Sequence, residues 1–200
     1  MIKAIVFDLW ETLGTKEASL SGEIAKKFGF QKTKEFMAKY EKSVQLKSYR
    51  KKGDLARDFL KNFRLKINVE SVLFIIKALD KSIEKAKMFE GMRELIVELS
   101  NKYSLGILSN TTSFESEIVK KWNVDEQFKA CVFSWEICSL KPARKNYEEI
   151  CKRLDVRPEE VVFIDDSEIN VEAAKEFGMN GLWFRDFETL KETLSSFLDD

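Results

Sequence analysis

A chain of 200 residues, 44% apolar and 34% charged, can build one hydrophobic core or a core domain with a smaller insertion, and is too apolar for a disordered chain. Its longest apolar runs, such as Val72-Leu73-Phe74-Ile75-Ile76, fall far short of a bilayer span, and Asp8 lies too near Met1 for a signal peptide, so a cytoplasmic protein without membrane association is expected. Lys+Arg and Asp+Glu both number 34, which argues against general nucleic-acid binding, and the lack of histidine removes Ser–His and Cys–His catalysis and histidine-held metals.

In chain order, Lys3 to Phe7 reads as a buried strand running into Asp8-Leu9-Trp10-Glu11-Thr12-Leu13-Gly14. From Thr15 to Met88 the pattern is helical throughout, with no strand expected. Gly29 and Gly53 punctuate it, Asp54 and Asn68 read as N-caps, and Val69, Val72, Leu73, Ile76, Leu79 and Ile83 recur at helical spacing. Strands and helices then alternate. A helix near Met92 to Asn101 precedes a strand at Leu105 to Leu108, and a helix near Ser113 to Lys121 precedes one at Ala130 to Phe133. A helix near Asn146 to Leu154 leads to Val161–Ile164, and one near Ile169 to Phe177 leads to Gly181–Phe184, before a closing helix over Glu188 to Leu198. Cys131, Cys138 and Cys151 lack the paired short spacing of a metal site and read as reduced, small apolar side chains.

The alternation predicts an α/β fold, a Rossmann-like parallel sheet flanked by helices on both faces, with an inserted all-helical cap domain. The expected division is a core of residues 1–14 and 89–200 and a cap of residues 15–88. Ligands bind such sheets outside the carboxyl ends of the strands, where Asp8, Ser109 and Asp165-Asp166 all fall, with Lys141 in the loop after another strand. Residues 15–88 hold 19 Lys+Arg and 9 Asp+Glu, the remainder 15 and 25. A basic cap over an acidic crevice would help capture an anionic substrate; solvated helix faces account for the same charges.

Asp8 with Thr12-Leu13, Ser109-Asn110, Lys141-Pro142, and Asp165-Asp166 with Asn170 occur in that order over most of the chain. With these residues the sequence resembles the haloacid dehalogenase-like hydrolase superfamily, in the subgroup whose helical cap is inserted after the first motif. The resemblance implies Asp8 as nucleophile, Ser109 and Asn110 at a phosphoryl oxygen, and Lys141 offsetting negative charge. It implies Mg²⁺ held by Asp8, Asp166 and the Trp10 backbone carbonyl, with Asp165 behind them or as an alternative ligand. Thr12 would orient the Asp8 loop, and Asn170 would hold Lys141 or Asp166. The expected activity is Mg²⁺-dependent hydrolysis of a small phosphate monoester, an anionic small molecule, by a monomer or homodimer.

Trp10 departs from the family's phosphatases, which carry there a second Asp that protonates the leaving group. Indole cannot donate that proton, and the side chain of Glu11 points in another direction on an extended segment. The family's dehalogenases carry an aromatic residue at this position and need no metal. Tyr147, six residues after Lys141, fits their substrate-contacting arrangement, and Lys42 is the nearest positional match to their halide-binding Arg. A metal-free 2-haloacid dehalogenase acting through Asp8 is therefore the alternative, and a catalytically weak binding or regulatory protein a third. The acidic pair Asp165-Asp166 beside Asp8 needs a compensating cation, which favours the phosphatase.

Overall fold

The computed structural model describes residues 1–198. At its centre is β1 (Ala4–Phe7), apolar and fully buried at every position. It lies between β4 (Ser104–Ser109) and β6 (Val161–Asp165), with β5 (Phe128–Phe133) beyond β4 and β7 (Asn180–Trp183) beyond β6. All pairings in this five-stranded sheet are parallel, as the alternation predicts. Phe7 pairs with Ile107 on one side and Ile164 on the other. Asp8 and Asp165 therefore emerge side by side, with Ser109 one residue further along β4.

Strand alternation decides which helix covers which face. Ile5 and Phe7 join a core with α5 (Met92–Ser100), α6 (Ile118–Lys121) and α10 (Phe187–Leu198). Ala4 and Val6 face the other way, onto Tyr147, Ile150 and Leu154 of α8 (Arg144–Leu154) and Ala174 of α9 (Glu168–Phe177). A short helix, α7 (Ser134–Ile137), occupies part of the stretch read as loop, and the segment near Ser113 is a 3₁₀ turn over Glu115–Glu117 leading into α6.

The insertion holds α1 (Leu20–Phe28), α2 (Lys34–Val44), α3 (Lys52–Asn62) and α4 (Val69–Glu84). These helices close around an apolar cluster of their own, including Leu20, Ile24, Tyr40, Leu55, Phe59 and Leu79. Side chains of Ser19, Thr33 and Asn68 cap α1, α2 and α4 by accepting from backbone N–H groups of the first turn. Asp54 does not cap α3. The cap position is Lys51, and Asp54 lies in the first turn, where a carboxylate favours the helix N-terminus without closing it.

Two strands lie where none is expected. Gly14–Lys16 forms β2 and Ala86–Met88 forms β3, paired antiparallel at the two ends of the insertion. Three residues are too few to display a period-2 pattern, so pairing, and not local sequence, defines them. Gly14 is required by this contact: a Cβ there would sit 2.4 Å from the Lys87 carbonyl oxygen and 2.5 Å from the Trp122 ring.

Candidate active site

A cavity of about 440 Å³ lies between the strand ends and the insertion, with Asp8, Trp10, Lys141 and Asp166 on the core side and Tyr40, Glu41 and Gln45 of the α2 end opposite. A hollow of about 460 Å³ near Met1 and Phe197 opens at the other end of the strands and has Glu159 as its one carboxylate among the described residues.

Lys141 is the hub of the site. Its buried Nζ donates to Asp8 Oδ1 at 2.7 Å and to Asp165 Oδ2 at 2.6 Å. Burial works against the ammonium, but Asp165 and Asp8 outweigh it and hold the Lys141 pKa above its ordinary value. Asn110 fixes the loop: its Oδ1 accepts from the Lys141 N–H at 2.8 Å, and its Nδ2 donates to the Lys141 carbonyl at 3.3 Å. Asn110 lines the cavity, yet its amide is spent on this loop.

Asp165 is fully buried and saturated. Besides Lys141, its carboxylate accepts from the Ser167 N–H at 2.8 Å and from Asn170 Nδ2 at 3.0 and 3.2 Å. Asn170 thus holds Asp165, in place of the expected Lys141 or Asp166, because α9 begins at Glu168 and sets Asn170 in its first turn beside the Asp165 loop. Asp8 and Asp166 have no such saturation. Burial raises the Asp8 carboxyl, Lys141 offsets part of that, and Asp165 adds to it. Asp166 is pushed up to about 7, first by desolvation and then by the charges of Asp8 and Asp165.

Three carboxylates, Asp8, Asp165 and Asp166, have oxygens within 4.8 Å of one another, and the Lys141 ammonium pairs with the first two. An all-oxygen set of this charge fits Mg²⁺, which takes one or two carboxylates and completes its shell with water or phosphate oxygens. Because Asp165 is saturated, Asp8 and Asp166 are the donors available to a cation.

Ser109 ends β4 with its Oγ buried, Thr12 Oγ1 is likewise buried, and neither has a hydrogen-bond partner among the described residues. The expected anchoring role of Thr12 therefore has no hydrogen bond behind it. Trp10 is fixed in place: its Nε1 donates to Thr111 Oγ1 at 3.1 Å, and Lys16 Nζ stands 3.9 Å from its ring centroid. Glu11, at φ 60°, is exposed and accepts from the Thr15 hydroxyl at 2.9 and 3.0 Å.

Two expectations from the dehalogenase pattern fail. Tyr147 does not line the cavity; its buried ring packs on Phe163 and Phe177, and its hydroxyl donates to the Asn170 carbonyl at 2.9 Å. The inward face of α8 takes it into the core. Lys42 is exposed, because the turn of α2 brings Tyr40, Glu41 and Gln45 to the cavity instead. Of the insertion's many cations, Lys16 and Lys32 line the cavity, so the basic excess of residues 15–88 serves mostly solvated faces.

Sequence reasoning did not single out Glu41, Gln45 or Glu115. The Glu115 carboxylate is fully buried and accepts from Lys16 at 2.9 Å, Ser82 at 2.9 Å and Thr112 at 3.0 Å. That network ties β2 and α4 to the loop after β4 across many tens of residues, and no local pattern signals it.

The sequence description of the haloacid dehalogenase-like hydrolases matches residues 5–184. The chain belongs to that family. A phosphorylated carbohydrates phosphatase of Thermotoga maritima is 27% identical over 129 residues, 64% of this chain and 56% of that protein. An (S)-2-haloacid dehalogenase of a Pseudomonas species is 33% identical over 79 residues, 39% of this chain and 35% of that one. The matches thus span about half, or less, of the length of these curated relatives. Among solved structures, a HAD family enzyme of Bacteroides thetaiotaomicron, in complex with magnesium and inorganic phosphate, superposes with a TM-score of 0.69 at 22% identity, covering 95% of this chain and 99% of that one. That likeness is one of fold: a HAD-type core carrying an inserted helical region.

Proposed function

We propose that this HAD-family protein is a Mg²⁺-dependent phosphatase of a small phosphate monoester, with residues 15–88 as its cap. The reading rests on one observation above others: of three clustered carboxylates, Lys141 pairs with Asp8 and Asp165 and not with Asp166, which leaves the group short of positive charge. The Bacteroides relative's magnesium and phosphate, and the Thermotoga relative's activity on phosphorylated carbohydrates, support it.

Asp8 is the nucleophile, its attacking oxygen set by the Lys141 bond to the other. Asp8, Asp166 and the Trp10 carbonyl would hold Mg²⁺, and Asp165 braces Lys141. A bound Mg²⁺ would neutralise the phosphoryl oxygens as charge develops. Lys141 adds a fixed positive charge at the same place, and the unpartnered Ser109 hydroxyl donates to a phosphoryl oxygen. We take the substrate to be a small anion and not a nucleic acid, and the protein to act in the cytoplasm as a monomer or homodimer. Its three cysteines are free, in keeping with a reducing compartment, and among the described residues no helix is long and apolar enough to cross a membrane.

The test is phosphate release from a panel of small monoesters, with and without Mg²⁺, by wild type and Asp8→Asn. Metal-stimulated release that Asp8→Asn abolishes is expected; its absence across the panel sinks the reading. The 33% identity to a haloacid dehalogenase, together with Trp10, keeps a second chemistry in view. Halide release from 2-chloropropionate in EDTA, dependent on Asp8, would establish that chemistry. A protein active in neither assay would be the weak, regulatory member of the fold.

A further inference from the structure

Phosphoryl transfer to Asp8 leaves an alkoxide that needs a proton, and the residue standing where the family keeps its acid cannot supply one. The indole N–H of Trp10 is already given to Thr111. Among the described residues the acids lining the cavity are Asp8, Glu11, Glu41 and Asp166. Asp8 must be ionised to attack, Asp166 faces the cation position, and Glu11 is engaged by the Thr15 hydroxyl. Glu41 remains. It is half-buried near the end of α2, and among the described residues its carboxylate has neither an ion pair nor a side-chain hydrogen bond.

Its surroundings suit an acid. Burial pushes the Glu41 carboxyl above its ordinary value, Lys141 offsets part of this, and Asp8 adds to the rise. One turn along, Gln45 lines the same cavity, its side-chain oxygen buried and without a hydrogen-bond partner among the described residues. The other charged or titratable groups on this wall are Lys16, Lys32 and Tyr40. The Glu41 carboxylate thus meets the cavity from the insertion, across from the core side that carries Asp8.

We propose that Glu41, carried by the cap, is the catalytic acid that replaces the one missing at Trp10. The proposal rests on the phosphatase reading. In the first step an Asp8 oxygen bonds to phosphorus and the ester P–O bond breaks; the leaving oxygen keeps the electron pair and takes the Glu41 proton. In the second, the Glu41 carboxylate takes a proton from water as the water oxygen bonds to phosphorus, and the Asp8–phosphorus bond breaks. Inorganic phosphate leaves, with Asp8 and protonated Glu41 restored.

The test compares phenyl phosphate, whose leaving oxygen needs a proton, with 2,4-dinitrophenyl phosphate, whose leaving group departs as the anion. Each ester is assayed at saturating Mg²⁺ with wild type, Glu41→Gln and, as the inactive control, Asp8→Asn. Glu41→Gln should slow phenyl phosphate by about 10²–10⁴-fold, the usual contribution of a positioned acid, and dinitrophenyl phosphate at least tenfold less than that. Equal losses on the two esters, or no loss on phenyl phosphate, would overturn the role of Glu41 while leaving the Asp8 phosphatase intact. Wild type inert toward both esters would bring down the phosphatase reading and Glu41 with it.

Discussion

Replacing Lys141 by Met keeps an unbranched apolar stem and takes away the ammonium shared by Asp8 and Asp165 at 2.7 and 2.6 Å. Two buried carboxylates with oxygens 4.8 Å apart or closer are then left facing each other. At an effective dielectric constant of about 20, unit charges at that separation repel by about 3.5 kcal/mol. The figure falls within the ~3–5 kcal/mol expected when one partner of a buried ion pair is removed. At about 2–4 °C per kcal/mol for a chain of this size, melting in EDTA at pH 8 should drop by about 7–14 °C. The sign with pH is fixed by the same charges. Burial already raises the Asp8 carboxyl and Lys141 offsets part of that, so without Lys141 it rises further; the native variant takes up a proton first, and its stability recovers as pH falls through that raised pKa. The deficit should therefore narrow between pH 8 and pH 5, and Mg²⁺ at pH 8 should restore part of it. Phosphate release should be lost at every pH. A variant that melts with or above wild type across this range in EDTA would refute the account of Lys141 as the charge that holds the carboxylates together.

Ser109→Ala removes a buried hydroxyl that has no partner, so thermal stability should hold or rise by about 1 kcal/mol while phosphate release falls on the order of 10²-fold; parallel loss of both would mean the hydroxyl has a structural partner. Glu160, held down to about 2 by its hydrogen bonds to Lys3 and to the Arg157 backbone and side chain, stabilises the fold above its ordinary value of 4.5. That stability is lost as pH falls toward about 2. Melting of Glu160→Gln should therefore trail wild type at pH 6 and converge with it as the pH drops through this window, whereas a pH-independent gap would place the effect in packing.

The parallel sheet was legible because each of its strands is an apolar run closed by a polar residue, and because the intervening helices carry the 3.6-residue period. KAIVF followed by Asp8 is the clearest case: burial on both faces leaves no alternation to confuse, and the polar residue that ends the run is also the one that projects into the crevice. β2 and β3 were illegible for the opposite reason. Three-residue strands carry no period, and they exist because Gly14 lets the two ends of the insertion touch 74 residues apart (Gly14 pairs with Met88). Asp54 misled in a smaller way, since a residue type favoured at helix starts serves equally at the N-cap and within the first turn.

At the site, the residues that could be read were those whose chemistry depends on the strand ends: Asp8, Lys141, Asp165 and Asp166 meet because the sheet topology makes them meet. The residues that could not be read face them from α2, and there helix phase decides everything. Lys42 and Glu41 are neighbours in sequence and about 100° apart around the axis, so a positional match to within one residue is a match to the wrong face. The phase is set by Phe36, Tyr40 and Val44, which bury toward the cap core and turn Glu41 and Gln45 to the cavity while Lys42 stays in solvent. Trp10 then acquires a different meaning. Read alone, it is a lost acid. Locked by Thr111 beneath Lys16, it is a rigid wall that closes the core side of the cavity, and a proton for the leaving group has to come from across it. A substitution that would disable a site built wholly on the core can be accommodated when a cap brings its own carboxylate, and that is the physical sense in which Trp10 and Glu41 belong to one design.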